Sequence, residues 1–342
     1  MSLKNLSVKI KTPKLLKSKL SNKKVAQIYQ EFENSLNIDQ SFAVAVSGGS
    51  DSLALAFLSK IYSVKKNIVS KYFIVDHKLR LDSTKEAKLV KEKLKKFSID
   101  AQILTWKGKK PSSNIQSLAR KKRYELLIAK CNKFKISNIL LGHHEDDLFE
   151  NFFIRILRGS GLKGLISLDK VSKVANKNLI RPLLHNKKED LIFIAKHVFD
   201  FYVQDPSNKD EKFKRIQIRG LINELRKKGL DKKKFDKTIK NLKDSNNVVN
   251  FYVKKNLNDN SFFFRNENKL ALHKDFFQQP HEIIFRSLSE SIKLIGKKYY
   301  SVRGKKLDKI IVDIENNLLF KATLGGCVIE KVNQTVFITK EL

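Results

Sequence analysis

The segment Ser47-Gly48-Gly49-Ser50-Asp51-Ser52 limits what this chain can fold into more than any other feature. It follows a β-rich apolar run, Phe42 to Val46, and precedes Leu53 to Ile61, which has helical character. A strand, a glycine-bearing loop and a helix in that order bring backbone N–H groups and the positive helix end to bear on one anion. Gly48 and Gly49 let the backbone turn tightly and approach a phosphate. Ser47, Ser50 and Ser52 add hydroxyl donors, and Asp51 is a carboxylate suited to Mg²⁺. The fixed residues of Ser-Gly-Gly-x-Asp-Ser would arise by chance in such a chain about 4 times in 10,000. The plain alternative is a turn that caps a helix. A Walker loop is excluded, because no Gly-Lys-Ser/Thr ends the segment.

The rest of the chain repeats the unit. Tyr72 to Val75, Ala101 to Trp106 and Ile136 to Leu141 read as strands, with helices over Thr84 to Phe97 and Ile115 to Lys130 between them. Alternation of this kind predicts an α/β fold: a parallel sheet, doubly wound, with ligands at the carboxyl ends of its strands. Residues 1–21 lack periodicity and read as a basic flexible arm, and the ordered fold is expected to begin near Asn22 with a helix over Lys23 to Leu36. A catalytic domain is expected over 22–208. Residues 209–244 hold fourteen Lys or Arg against six Asp or Glu at amphipathic spacing. They suggest a basic helical linker, 209–245, or the start of a second domain. Residues 246–342 read as a small α+β domain, with strands such as Cys327 to Val332 and Gln334 to Ile338 and a helix near His281 to Leu294.

A formal net charge of +35 over 342 residues exceeds what solubility requires. Its plainest use is to attract a polyanion by displacing condensed counterions, which makes nucleic acid the first candidate partner. A lysine-rich genome would inflate the same total without any binding role. The two cysteines, Cys131 and Cys327, lie far apart and exclude a disulfide framework, a zinc ribbon or a Cys-x-x-Cys redox pair. No run of about 18 apolar residues occurs, so a membrane partner is not expected, and a reducing cytoplasm fits.

Further along, His143, Asp147 and Glu150 fall at i, i+4 and i+7, one helical face just past a strand end. Two carboxylates there suit a metal ion or a cationic amine, although an acidic helix start favoured by the macrodipole gives the same pattern. Arg120, Arg123 and Tyr124 cluster at i, i+3 and i+4; arginine suits a transferring phosphoryl group, and a surface salt-bridge face looks the same. Asp76 and His77 follow a strand, where nucleotide contacts are expected.

With those residues in hand, the loop is seen to resemble that of the PP-loop, or N-type, ATP pyrophosphatases, which cleave ATP to AMP and pyrophosphate. Within that superfamily, most of residues 40–225 resembles the tRNA(Ile)-lysidine synthases. The matching segments are Ile74 to Arg80 (IVDHKLR), Asn114 to Tyr124 (NIQSLARKKRY), Leu141 to Glu150 (LGHHEDDLFE), Arg158 to Leu165 (RGSGLKGL), Ile180 to Leu184 (IRPLL) and Asp205 to Asn208 (DPSN). The resemblance implies ATP as cosubstrate with Mg²⁺, L-lysine, and a tRNA(Ile) with a CAU anticodon whose wobble cytidine is adenylated at the C2 oxygen. It implies that Ser47 to Ser52, Asp76 and His77 bind ATP, that Asp51 and Asp147 hold the metal, and that Asp51, Asp147, Glu150 and Arg120 carry the chemistry. Arg215 and Arg219 resemble tRNA-binding arginines, but Ile216 and Gln217 stand where relatives place asparagine and arginine. The resemblance further implies one tRNA-binding domain after the catalytic one, lacking the second found in the longest members, and leaves a homodimer open. The rivals are a tRNA thiolation enzyme with the same loop, which generally needs paired cysteines or an iron-sulfur cluster, and a basic RNA-binding module with a vestigial loop.

Overall fold

Two short strands whose alternate residues enter two different apolar clusters show how the sheet is built. In β1 (Phe42–Val46), Phe42, Val44 and Val46 face one apolar cluster while Ala43 faces another. In β2 (Ser70–Asp76), Tyr72 and Ile74 join the first cluster and Phe73 the second. A strand that buries both faces needs a helical layer on each side. The computed structural model describes residues 13–108, 115–204, 214–297, 302 and 304–341. Two compact units meet at the chain position Leu230/Asp231.

The first unit opens with α1 (Lys14–Leu20) and α2 (Lys23–Ser35). The expected arm is overturned over its described part, because Leu16 of α1 is fully buried in the main core. Leu15, Leu16 and Leu20 alternate with lysines over less than two turns, too short a stretch to show a period, so only the packing of Leu16 and Leu20 on the core reveals the helix. Asn22 caps α2, its side chain accepting from Lys24 N and Val25 N at 3.0 and 3.2 Å. Next come α3 (Ser50–Lys66), α4 (Ser83–Lys95), β3 (Ala101–Thr105), α5 (Ile115–Lys133) and β4 (Asn138–Leu140). They are followed by α6 (Glu145–Ile156), the short α7 (Leu162–Leu165), β5 (Val171–Val174), β6 (Lys177–Ile180), α8 (Lys188–Phe199) and α9 (Lys214–Lys227).

The sheet runs β3-β2-β1-β4-β6-β5. Every pairing is parallel except β5 with β6. The α/β expectation stands, with one correction: the hairpin β5–β6 makes the sheet mixed. Its strands are four residues each and β5 is largely exposed, too short and too polar for a periodicity signal. The chain leaves β1 toward β2 on one side and reaches β4 on the other, so the carboxyl ends of β1 and β4 flank a topological switch point. Helix α3 is buried almost all round, pressed between sheet and α8. Fully buried Leu55, Phe57 and Leu58 each contribute roughly 1.5–3 kcal/mol, which fixes the start of α3 as a rigid point.

The second unit starts with α10 (Lys232–Asn260), whose first turn is capped by Asp231 accepting from Lys234 N at 2.8 Å. It continues through β7 (Ser261–Phe264), β8 (Lys269–Leu272), α11 (His281–Gly296), α12 (Gly304–Glu315), β9 (Lys321–Leu324), β10 (Cys327–Val332) and β11 (Thr335–Lys340). Its antiparallel sheet runs β7-β8-β11-β10-β9, and one face packs on α11 and α12 around Leu272, Leu288, Ile292, Leu307 and Ile338. The basic stretch 209–245 is therefore divided: α9 belongs to the first unit and α10 to the second. Gly229, at φ +97°, ends the first unit's last helix where a side chain would be strained, and Asp231 starts the next.

Candidate active site

The glycine loop is shaped by its last serine. Ser52 Oγ accepts from Ser47 N and Gly48 N, each at 3.1 Å, and from Ser47 Oγ at 3.2 Å, and donates to Gly49 O at 3.0 Å. The amides of Ser47 and Gly48 are thus held inside the loop. Helix α3 begins directly after Gly49, whose missing side chain offers no cap to its first-turn N–H groups. Those amides, at Ser50, Asp51 and Ser52, present the positive helix end at the switch point, an arrangement suited to phosphate. Gly48 sits at φ +88°, and a Cβ there would lie 2.6 Å from a Val90 methyl carbon, so this position admits glycine alone. Gly48 O accepts from Val203 N at 2.9 Å, which ties the loop to the chain after α8.

From the carboxyl end of β4 comes Gly142, which packs against the first turn of α3. A Cβ on it would stand 3.2 Å from the carbonyl carbon and oxygen of Asp51 and from Ser52 N. This contact fixes the distance between the loop and the acidic residues that follow. Gly142→Ala is expected to push the start of α3 away by a few tenths of an ångström and to lower activity more than tenfold, while overpacking costs about 1–3 kcal/mol of stability. Steady-state turnover and thermal melting of the variant check this; unchanged turnover would show that the spacing is not needed.

His144, 5% exposed, is the N-cap of α6. Its Nδ1 accepts from Asp146 N at 3.3 Å, while its backbone N–H donates to Asp147 Oδ2 at 2.9 Å, closing a capping box. Because α6 begins at Glu145, His143 lies outside the helix and the expected i, i+4, i+7 face reduces to Asp147 and Glu150. His144 Nε2 stands 3.8 Å from Asp51 Oδ2 and 3.7 Å from Asp147 Oδ2, so two carboxylates bracket one imidazole. Burial opposes ionisation of Asp147, yet His144, His143 and the His144 N–H together hold its carboxyl below the usual range. Burial drives His143 down to about 4, against the pull of Asp147, and keeps it neutral at neutral pH.

Asp51 itself is gripped by Lys188, whose Nζ lies 2.6 and 2.7 Å from its two oxygens. Sequence reasoning missed Lys188. The signal was present: Lys187 and Lys188 stand at the first turn of α8, where a cation opposes the helix dipole, and such local violations gather at functional sites. His144 and Gly142 were also missed, the first because its neighbour His143 fitted the spacing better.

Glu150 is 2% exposed and takes Arg219 Nε on its Oε1 at 2.5 Å, while its Oε2 has no partner. Burial raises its carboxyl above the usual range in spite of the guanidinium. Arg226 pairs likewise with Asp146 at 2.6 Å, so α9 is laid along α6 by two ion pairs. Arg219, read from sequence as a tRNA contact, thus meets a residue read as catalytic. Arg215 is exposed and lies close enough to Asp147 and Glu150 to stabilise both anions.

The other sequence candidates lie further round the sheet edge. Asp76, 2% exposed, accepts from Lys78 N (3.0 Å), Ser83 Oγ (2.9 Å) and Thr84 Oγ1 (2.7 Å), so its carboxylate shapes the turn into α4. His77 Nε2 accepts from Arg123 Nε at 3.3 Å; burial first, then Arg123, drives its pKa down to about 4. Arg120 stacks on Tyr124 with its guanidinium 5.3 Å from the ring centre, and the fields of Arg120, Arg181 and Arg215 reach His143. The structure therefore gathers Asp51, His144, Asp147 and Lys188 tightly, with Glu150 beside them on α6, while Asp76 and His77 pair elsewhere. The segment 205–208 lies outside the described residues.

Asp51 and Asp147, 3.8 and 3.7 Å from His144 Nε2, are carboxylates of the kind that bind Mg²⁺, which takes one or two carboxylates plus phosphate oxygens and water. No group of three or more His, Cys, Asp or Glu among the described residues forms a dedicated metal cage.

An uncapped helix start at the switch point of a mostly parallel sheet, faced by paired carboxylates, defines a nucleotide-loop enzyme, and the PP-loop domain family matches residues 18–225. The tRNA(Ile)-lysidine synthase of Orientia tsutsugamushi (strain Boryong) is 35% identical over 312 residues, covering 87% of this chain and 69% of that protein. The tRNA(Ile)-lysidine synthase of Wolbachia sp. subsp. Brugia malayi (strain TRS) is 33% identical over 316 residues, covering 87% and 70%. The chain belongs to the tRNA(Ile)-lysidine synthase family. Among solved structures, the U34-tRNA thiolase NcsA from Methanococcus maripaludis with its 4Fe-4S cluster aligns with a TM-score of 0.53 at 17% identity, covering 60% of this chain and 74% of that one. That likeness is one of fold alone.

Proposed function

We propose that this chain uses ATP to adenylate the C2 oxygen of the wobble cytidine in a tRNA(Ile) with a CAU anticodon and then joins the ε-amine of L-lysine to that carbon. The single observation that carries the reading is the set of two carboxylates, Asp51 and Asp147, converging on His144 beside the uncapped start of α3. In the first step the cytidine oxygen attacks the α-phosphorus of ATP and pyrophosphate leaves. The amides of Ser50, Asp51 and Ser52 bind phosphate oxygens, and Lys188, paired with Asp51 in the same first turn of α3, adds a positive charge beside them. Asp51 and Asp147 would be the residues to hold Mg²⁺, which would supply charge neutralisation for the departing pyrophosphate. In the second step the amine attacks C2, AMP departs, and the amine gives up a proton. Glu150 is the better acceptor of the two α6 carboxylates, because burial raises its proton affinity while that of Asp147 is held low.

Arg120 and Arg215 are assigned to the phosphates of AMP and tRNA, where planar guanidinium groups suit bidentate contact. Asp76 and His77 are assigned an indirect part in nucleotide binding, through the turn they hold. The thiolation rival needs a reactive cysteine. Cys131 is fully buried, with its thiol pushed up to about 11, and Cys327 is fully buried in the other unit. No helix of the described residues is long and apolar enough to cross a membrane. The test is mass spectrometry of the tRNA after incubation with protein, ATP, Mg²⁺ and lysine. A lysine adduct on cytidine is the expected result; ATP cleavage between its outer phosphates, or an unmodified tRNA, would overturn the reading.

A further inference from the structure

The second unit carries an open sheet face that the chemistry above does not use. Along β7 to β11, alternate residues point to opposite sides. Leu270, Leu272, Ile329, Val336 and Ile338 are buried on the side covered by α11 and α12. The register fixes what stands on the other side: Phe262 pairs with Ala271, which pairs with Phe337, which pairs with Glu330. Phe264 pairs with Lys269 on the same face. Phe262 is 63% exposed and Phe264 37% exposed, with ring centres 4.8 Å apart at 73°. Lys269 Nζ sits 4.2 Å above the centre of the Phe337 ring.

Phe262 and Phe337 are two strands apart, about 10 Å, so each ring can take its own planar partner. The rings share this face with Lys269, Lys321, Thr335 and Thr339, together with Val328, Val332 and one carboxylate, Glu330, which stands between Phe337 and Lys321. Lys and Arg outnumber Asp and Glu 22 to 13 across residues 231–342, so the unit as a whole favours a polyanion. Aromatic rings on an open antiparallel sheet, backed by helices and rimmed with positive charge, are a recurrent physical solution for stacking unpaired bases.

We propose that the open face of the second unit's sheet, centred on Phe262, Phe264 and Phe337, stacks unpaired nucleotides of the tRNA substrate. The inference rests on the proposed tRNA-modifying function and names the surface that would grip the substrate outside the catalytic unit. The test uses the full chain and a fluorescently labelled tRNA transcript titrated over a range of salt, with an unlabelled single-stranded oligoribonucleotide and a blunt RNA duplex as competitors. Phe262→Ala with Phe264→Ala is expected to weaken binding about tenfold or more. The slope of log affinity against log salt should stay unchanged, because losing a neutral ring releases no fewer counterions. The single strand should compete better than the duplex against wild type and lose that advantage against the double variant. Both rings are exposed, and an unchanged melting temperature verifies the fold. Equal affinity of wild type and double variant overturns the proposal. So does a wild-type dimer that the double variant converts to monomers, since the face would then be a contact between copies. Wild-type protein that binds no tRNA at all defeats the proposed function itself, a result distinct from both.

Discussion

Asp51→Ala is expected to lower tRNA-dependent pyrophosphate release by about a thousandfold, while tRNA affinity stays within about twofold of wild type. The carboxylate stands in the first turn of α3, beside the amides offered to the phosphates, and no other carboxylate among the described residues shares that turn. Lys188→Met is expected to cost about a hundredfold in the same assay, by removing the cation that restrains Asp51 and that is proposed to meet the leaving group. The two roles separate in a double-mutant cycle. If Lys188 acts only by restraining Asp51, then D51N with K188M is no slower than D51N alone. A further loss in the double variant shows a direct contribution to the transition state. Full activity in Asp51→Ala would remove the loop from the chemistry altogether.

Glu150→Gln is expected to lower lysine transfer by a factor of a hundred or more while leaving adenylation intact, so that adenylated tRNA accumulates and is seen by mass spectrometry. Loss of adenylation as well would place Glu150 in the first step instead. The same carboxylate yields a stability prediction through its partner. Arg219→Ala leaves Glu150, only 2% exposed, without its cation, at a cost of about 1–3 kcal/mol; the half-exposed position of Arg219 keeps this below the figure for a fully buried pair. Without the guanidinium, burial raises the Glu150 carboxyl still further. A raised folded value means that the native state keeps its proton where the unfolded state has lost it. The variant's stability therefore falls as pH rises from the ordinary glutamate value, about 4.3, through the raised one, and recovers as pH falls. Melting curves at pH 5 and pH 8 check the sign. A deficit equal at both values would mean that Arg219 supports packing alone.

In the proposed reaction, the buried carboxylate of Glu150 is the place for the lysine amine. Glu150 holds a guanidinium on one oxygen and leaves the other unpartnered in a buried position. An unpaired buried carboxylate oxygen is costly, and an incoming ammonium or amine satisfies it. The capping box at His144 does the complementary job for Asp147, orienting its carboxylate toward the start of α3 through a backbone bond.

What could be read in advance followed from local rules. The strand over Phe42–Val46, the loop and helix after it, and the alternation that yields a doubly wound sheet all rest on periodicity and on glycines in a fixed context, which neighbouring residues encode. Hairpin β5–β6 escaped because its strands are four residues each and β5 is largely exposed, and α1 because its Leu16 and Leu20 span less than two turns. The pairings of Lys188 with Asp51 and Arg219 with Glu150 join residues 137 and 69 positions apart, and spacing in the sequence carries no information about such distances. The same holds for the row Phe262, Ala271 and Phe337, which exists only in the strand register. The sequence alone determined the sheet, the anion-ready helix start and the kinds of group available, because these depend on the chain's local preferences. Tertiary structure alone decided which charge faces which, because desolvation and pairing are set by what the fold brings into contact.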